Sequence, residues 1–148
     1  MVDAAREIEN LLYRYAECID NGDLDALADL FARGRICGVE NGPPETVFEG
    51  RDRVRGLYEA TVRLYDGTPK TKHVTTNAQV TVDGSTAKAR SSYVVTQATD
   101  ALPLQVIITG HYHDTFQFLE GTWWFDTRVM FVDQVGDLSH HMKYALRS

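Results

Sequence analysis

Residues 104–133 read LQVIITGHYHDTFQFLEGTWWFDTRVMFVD, two apolar-rich runs separated by Glu-Gly. Alternation through both runs predicts two long antiparallel strands, Leu104–Leu119 and Thr122–Asp133. In the first, Leu104, Val106, Ile108, Gly110, Tyr112, Asp114, Phe116 and Phe118 share one face. Asp114 is the single carboxylate on that face, so it is paired, protonated or in a wet pocket, because an isolated buried charge is costly. Glu120-Gly121 is a poor two-residue turn, since Glu120 would need positive φ. The expected connection is a three-residue loop, Leu119-Glu120-Gly121, which sets Phe118 opposite Thr122 and Tyr112 opposite Arg128. Arg128 is then diagonal to Asp114, among Trp124, Met130 and Val132. From spacing alone the two charges are either a buried structural ion pair or polar groups of a pocket.

Upstream, period two continues through Thr71–Val82 and Thr86–Thr99, joined at Asp83-Gly84. Lys88 and Arg90 mark the even positions of the second strand as solvent-facing, which turns Ala89, Ser91, Tyr93, Val95 and Gln97 inward. In Thr71–Val82 the even residues Val74, Ala78, Val80 and Val82 are apolar, and the odd set is His73, Thr75, Asn77, Gln79 and Thr81. That polar face is either open to solvent or one wall of a polar pocket. Before Gly67 the spacing is helical. Ile8, Leu11, Leu12, Tyr15, Ala16 and Ile19 stripe a helix over Asp3–Asp20 that stops at Asp20-Asn21-Gly22. Asp23 can cap a second helix from Leu24 to about Phe31, and Val54, Leu57, Tyr58 and Leu64 mark a third over Gly50–Tyr65. Arg35–Glu40 and Thr46–Glu49 are short strand candidates. Three helices followed by a four-strand meander make an α+β fold with the helices on one face of a curved sheet. Taken alone, Tyr15 is a core residue and Asp20 a turn residue. The segment after Asp133, with Ser139-His140-His141, has no assignable pattern.

At 148 residues the chain is expected to form one domain, residues 1–148, and 43% hydrophobic with 24% charged residues is ordinary globular composition. Fifteen Lys+Arg against 21 Asp+Glu give a net charge of -6, which disfavours nucleic acid and anionic membrane as partners. Cys18 and Cys37 cannot make a disulfide framework and read as packed thiols of a cytoplasmic protein. No run approaches the ~18 apolar residues of a membrane span. GxSxG, P-loop, GxGxxG and CxxC motifs are absent from the sequence. His111 and His113 share a strand face and His140-His141 follow, but no carboxylate has the spacing of a metal site, so no metal is expected. Trp123-Trp124-Phe125 reads as core and interface aromatic mass.

Several pieces together resemble a known family. They are Tyr13-Arg14-Tyr15-Ala16, Asp20-Asn21-Gly22-Asp23-Leu24-Asp25-Ala26-Leu27, Leu30-Phe31, Lys72-His73 with Asn77, Gly110-His111-Tyr112-His113-Asp114, and Trp123-Trp124-Phe125 with Arg128. In this order they are similar to the SnoaL-like branch of the nuclear-transport-factor-two-like superfamily. Within it the chain resembles the scytalone dehydratases, bile-acid 7α-dehydratases and hexachlorocyclohexane dehydrochlorinases. The resemblance implies a cystatin-like cone, three N-terminal helices packed on a strongly curved antiparallel sheet, with a pocket in its mouth. These enzymes carry an aspartate in the first interhelical turn and a histidine on the first long strand, which match Asp20 and His73. Tyr15 is placed as in the bile-acid enzymes and Arg128 as the pocket arginine of the dehydrochlorinases. The chain departs at Gln97, where scytalone dehydratases have a second pocket histidine. Ketosteroid isomerases match at Tyr15 and Asp114, but their base would fall near Val39, with Glu40 one place off.

The resemblance therefore implies a cofactor-independent, dehydratase-type lyase for a small hydrophobic cyclic or polyketide-like substrate. His73 would be the general base, Asp20 its orienting partner and Tyr15 a hydrogen-bond donor. Asp114, Arg128, Tyr112, Gln97 and Asn77 would bind substrate. The alternatives are an isomerase or cyclase using the same proton transfer, or a non-catalytic ligand-binding or partner subunit. A homo-oligomer, dimer or trimer, is expected through the outward face of the last two strands, with Ile107, Val129 and Phe131.

Overall fold

The computed structural model describes residues 3–144. Helix α1 (Ala4–Asp20) begins at Asp3, whose carboxylate accepts the Ala5 and Arg6 N–H groups. Its apolar stripe of Ile8, Leu12, Tyr15, Ala16 and Ile19 is buried. The following turn requires Gly22, which has φ +70° and so little room that a Cβ would lie 1.8 Å from the Gly67 carbonyl oxygen. That approach ties the end of α1 to the loop before the long strands. Helix α2 (Leu24–Asp29) is capped by the Asp23 side chain and stops short of the expected Phe31. Helix α3 (Gly50–Thr61) stops before the expected Tyr65, because Val62 becomes extended and bridges to Met142.

Six strands form one sheet: β1 (Arg35–Cys37), β2 (Val47–Glu49), β3 (Thr71–Asp83), β4 (Thr86–Gln97), β5 (Gln105–Leu119) and β6 (Thr122–Val135). The order is β2-β1-β6-β5-β4-β3, antiparallel except that β1 runs parallel to β6. The expected meander is thus extended by two short strands into a mixed sheet. Three helices pack on this curved, open sheet, which is the cystatin-like α+β arrangement. Register shifts at Thr76/Gln79, Val95/Thr96, Thr109/Gly110 and Thr115/Phe116 supply bends.

Three details differ from the sequence reading, and each turns on one extra residue. Glu120 adopts φ 52° and Gly121 φ 82°, a two-residue turn that pairs Leu119 with Thr122. The Glu120 carboxylate is held by Arg33 at 2.8 Å. Asp126 is then the extra residue in β6, and the shorter turn and this bulge together move Arg128 from opposite Tyr112 to directly opposite Asp114. In β5 the extra residue is Ile107, which turns into the core and is fully buried, not on the outward face. In β3 the bulge falls at Asn77, with φ 55°. Beyond it the inward set switches from odd to even, so that Ala78 and Val80 pack against the core. Among the described residues no helix is long and apolar enough to cross a membrane.

Candidate active site

The inner face of the sheet, helices α1 and α3, and the segment after β6 enclose a cavity of about 240 Å³. Its polar groups are Tyr15, Tyr58, Thr61, His73, Tyr93, Tyr112 and His141; Ile19, Leu57, Val95, Ile108 and Met130 are among the apolar residues between them. A groove of about 270 Å³ beside Leu11, Arg14 and Trp124 is comparable in size, but it has no histidine or tyrosine in its wall.

Asp20 is the last residue of α1, and the Gly22 turn sets it against the start of β3. Its carboxylate accepts three hydrogen bonds: from the His73 backbone N–H at 2.7 Å, the Thr71 hydroxyl at 3.0 Å and His73 Nδ1 at 2.6 Å. The His73 side chain is only 7% exposed, so the ring stands on the cavity wall and not in bulk solvent. A carboxylate acceptor at Nδ1 places the proton there and leaves Nε2 with its lone pair.

Four phenols form the opposite wall. The Tyr15 and Tyr58 hydroxyls are hydrogen-bonded to each other, and Tyr15 also lies 3.9 Å from the Met130 sulfur. Tyr112 stacks on Tyr93 at 4.5 Å, and the Tyr93 hydroxyl donates to the Phe131 carbonyl at 2.8 Å. Gly110 makes room for this stack, since a Cβ there would meet the Tyr93 ring at 2.3 Å. Burial raises all four pKa values; Arg128 opposes this without reversing it, so the phenols stay protonated donors.

Behind the phenols lies a sealed ion pair. Arg128 donates from Nε and Nη2 to the two Asp114 oxygens at 2.8 and 3.0 Å, and both side chains are fully buried. The guanidinium carbon sits 3.6 Å from the Tyr112 ring centroid and 4.3 Å from that of Tyr15, while Nη1 has no hydrogen-bond partner among the described residues. Burial pushes the Asp114 carboxyl up, and Arg128 opposes it. For Arg128 burial acts downward but is outweighed by Asp114, and the guanidinium stays charged. With two donated hydrogen bonds, the ionised pair is the state this geometry supports.

The expected site residues therefore separate into layers. Tyr15, His73 and Tyr112 line the cavity, and Asp20 backs His73. Asp114 and Arg128 sit behind the tyrosines and do not reach the cavity. Gln97 is also buried away from it; its Nε2 donates to the Pro69 and His140 carbonyls at 3.0 Å each, tying down the C-terminal segment. Asn77 is exposed on its bulge, beside Gln79, Arg90 and His111 outside the cavity. His111 and His113 share that outer face, at 2.9 Å from Asp133 and 3.4 Å from Arg90. Among the described residues no three His, Cys, Asp or Glu side chains converge as metal ligands would.

Tyr58 and His141 are among the cavity residues that sequence reasoning did not assign to the site. Tyr58 looks like one more apolar position on the stripe of α3, and only its hydrogen bond to Tyr15 distinguishes it. His141 lies beyond the last periodic strand. It is brought in by backbone hydrogen bonds from Arg63 to the His141 carbonyl and from Lys143 to the Thr61 carbonyl, each 2.8 Å. Its ring is buried with Nδ1 unpartnered among the described residues, 6.4 Å from the His73 ring centroid to centroid. Burial, reinforced by His73 and opposed by Asp20, pushes its pKa down to about 4.

An acidic residue orienting a cavity histidine beneath three helices and a bent sheet defines the class of protein. The chain belongs to the SnoaL-like domain family, whose model matches residues 1–129. Among solved structures it is similar to a Mycobacterium tuberculosis protein of unknown function, with 28% identity and a TM-score of 0.71 over 88% of this chain and 72% of that one. A protein from Novosphingobium aromaticivorans provisionally called a scytalone dehydratase shares the fold at 24% identity, covering 97% of this chain and 89% of that one with a TM-score of 0.72. The provisional β subunit of an aromatic-ring-hydroxylating dioxygenase from the same organism matches at 24% identity, 89% and 90% coverage and a TM-score of 0.69. No curated protein matches the chain.

Proposed function

We propose that the protein is a cofactor-independent lyase that eliminates water from a small, largely apolar β-hydroxy carbonyl compound. The observation that carries this reading is the 2.6 Å contact between His73 Nδ1 and Asp20, with the other ring nitrogen left to an apolar cavity. His73 Nε2 takes the proton from the carbon next to the carbonyl, and the C–H electron pair moves into an enolate. Asp20 stabilises the imidazolium that forms. Tyr15, held by Tyr58, donates a hydrogen bond to the enolate oxygen. The enolate then expels the β-hydroxyl, which takes the proton from His73 and leaves as water, restoring the dyad. Tyr112, fixed between Arg128 and Tyr93, supplies a rigid aromatic part of the wall. The cavity volume, about 240 Å³, suits one or two fused rings.

The test uses 3-hydroxy-1-tetralone, which loses water to give fluorescent 1-naphthol. His73→Ala and Asp20→Asn should each lower kcat by ~10²–10⁴-fold in protein with unchanged circular dichroism. Turnover surviving both substitutions rules the dyad out as the engine.

An isomerase is the second reading, favoured by the neutral Tyr15–Tyr58 donor pair, which suits an enolate with or without a leaving group. It would need a base other than the one at the ketosteroid-isomerase position, because Val39 and Glu40 are exposed. Mass analysis of the product for loss of water separates the two.

A further inference from the structure

We infer that His141 is a substrate-contacting hydrogen-bond donor, the chemical counterpart of His73 in the same cavity. This deepens the lyase reading and rests on it for the reaction, but not for the placement of the donor. His141 is 6% exposed, and its Nδ1 is buried with no hydrogen-bond partner among the described residues. A protonated Nδ1 would leave an orphaned N–H in an apolar site, which costs more than an unused lone pair. The neutral ring therefore carries its hydrogen on Nε2, the nitrogen not sealed into the protein. At His73 the order is reversed: Asp20 holds the hydrogen on Nδ1 and leaves Nε2 as acceptor. One cavity thus holds two imidazoles of opposite tautomer, 6.4 Å apart, one that accepts and one that donates.

The ring is kept neutral by what faces it. Burial and His73 on β3 disfavour the cation, Asp20 on α1 opposes them without reversing the balance, and the pKa is pushed down to about 4. A neutral imidazole cannot deliver a full proton at pH 7, so His141 acts by polarising an oxygen, not as a general acid. Its position is fixed by a clasp remote from the reacting atoms. The Tyr65 hydroxyl at 2.6 Å and the Gln97 amide at 3.0 Å both donate to the His140 carbonyl. The ligand class that fits is an uncharged ring compound with an oxygen acceptor, since a carboxylate or phosphate would meet no free cation among the described residues of this wall.

The test begins with side-chain nitrogen NMR of the wild-type protein at pH 7, with each imidazole assigned by substitution. His141 should show the Nε2–H tautomer and His73 the Nδ1–H tautomer. The binding probe is 1-naphthol, followed by the perturbation of His141 Nε2 and by calorimetry. His141→Phe should weaken binding about ten-fold, and His141→Gln, which restores a donor, should recover most of it. An Nδ1–H or charged His141, equal binding by the Phe variant, or no binding of 1-naphthol to the wild type overturns the inference. The NMR needs no variant to fold. Loss of tetralone turnover in His73→Ala tests the lyase reading separately, so either can fail without the other.

Discussion

Lowering the pH should destabilise the protein through His141 before most carboxylates titrate. In the unfolded chain this imidazole protonates near its ordinary value of 6.5, whereas in the folded protein it resists until about 4. Between those values the unfolded state binds the extra proton, so the stability contributed by the neutral ring is complete above pH 6.5 and is lost as pH falls toward 4. At about 1.4 kcal/mol per pH unit of difference, the full loss is about 3 kcal/mol. The ring is 6% exposed, so solvent screening removes little of it. In a domain of this size the loss corresponds to a fall in Tm of roughly 6–12 °C. The measurement is differential, so that contributions common to both proteins cancel. Urea denaturation of wild type and His141→Gln is compared at pH 7.5, 6, 5 and 4.5. The stability gap between them should change by about 2.5 kcal/mol across the series, against the wild type at the acid end. Parallel curves would refute the reasoning, because they would mean that the native ring charges as freely as the unfolded one.

Asp114→Asn should cost about 3–5 kcal/mol of unfolding free energy by leaving Arg128 buried without its counter-charge. Replacing both partners, Asp114→Leu with Arg128→Met, should recover most of that loss in the same denaturation experiment. Gly110→Ala should destabilise by about 1–3 kcal/mol, because its Cβ would meet the Tyr93 ring at 2.3 Å and the Phe131 carbonyl at 2.1 Å. In tetralone turnover, Tyr15→Phe should reduce kcat by about 10–10²-fold and Tyr58→Phe by less, since Tyr58 acts through Tyr15. Equal rates for all three proteins would return the pair to a purely structural role.

Much of the fold was legible because the two periods change cleanly after Gly67, and because the burial pattern of β4, from Ala87 to Gln97, alternates without interruption. The extra residues were not legible. Asn77 and Ile107 sit in runs whose composition is that of regular strand, and neither bulge is marked by glycine or proline. Glu120 takes positive φ against its intrinsic preference while its carboxylate meets Arg33, a partner that lies far away in sequence. The Asp114–Arg128 pair was within reach despite the wrong turn, because a two-residue offset keeps both side chains on one face as diagonal neighbours still able to touch. For Tyr15, Asp20 and His73, side-chain periodicity alone gives core, turn and an undecided face; only the ordered set of motifs points to a shared cavity. His141 had no such support, because its position depends on carbonyl contacts from α3 and from Gln97 that leave no trace in local pattern.

The layering of the site decides which charges it can favour. Arg128 carries a full positive charge within 5 Å of two phenol rings, yet Asp114 cancels most of its field at longer range. What reaches the cavity is the polarity of neutral donors: Tyr15 and, under the inference above, His141. Such groups are oriented before the substrate arrives, and they interact weakly with a ground-state carbonyl and strongly with an enolate. A free arginine in the same wall would bind a pre-formed anion tightly and gain little as charge develops. Pairing Arg128 behind the tyrosines avoids that ground-state trap while its ring contacts hold the phenols rigid. The arrangement therefore favours substrates that enter neutral and become anionic only in passing. Saturating carboxylate analogues of the tetralone should for that reason inhibit more weakly than neutral phenols of the same shape, as measured by competition against turnover.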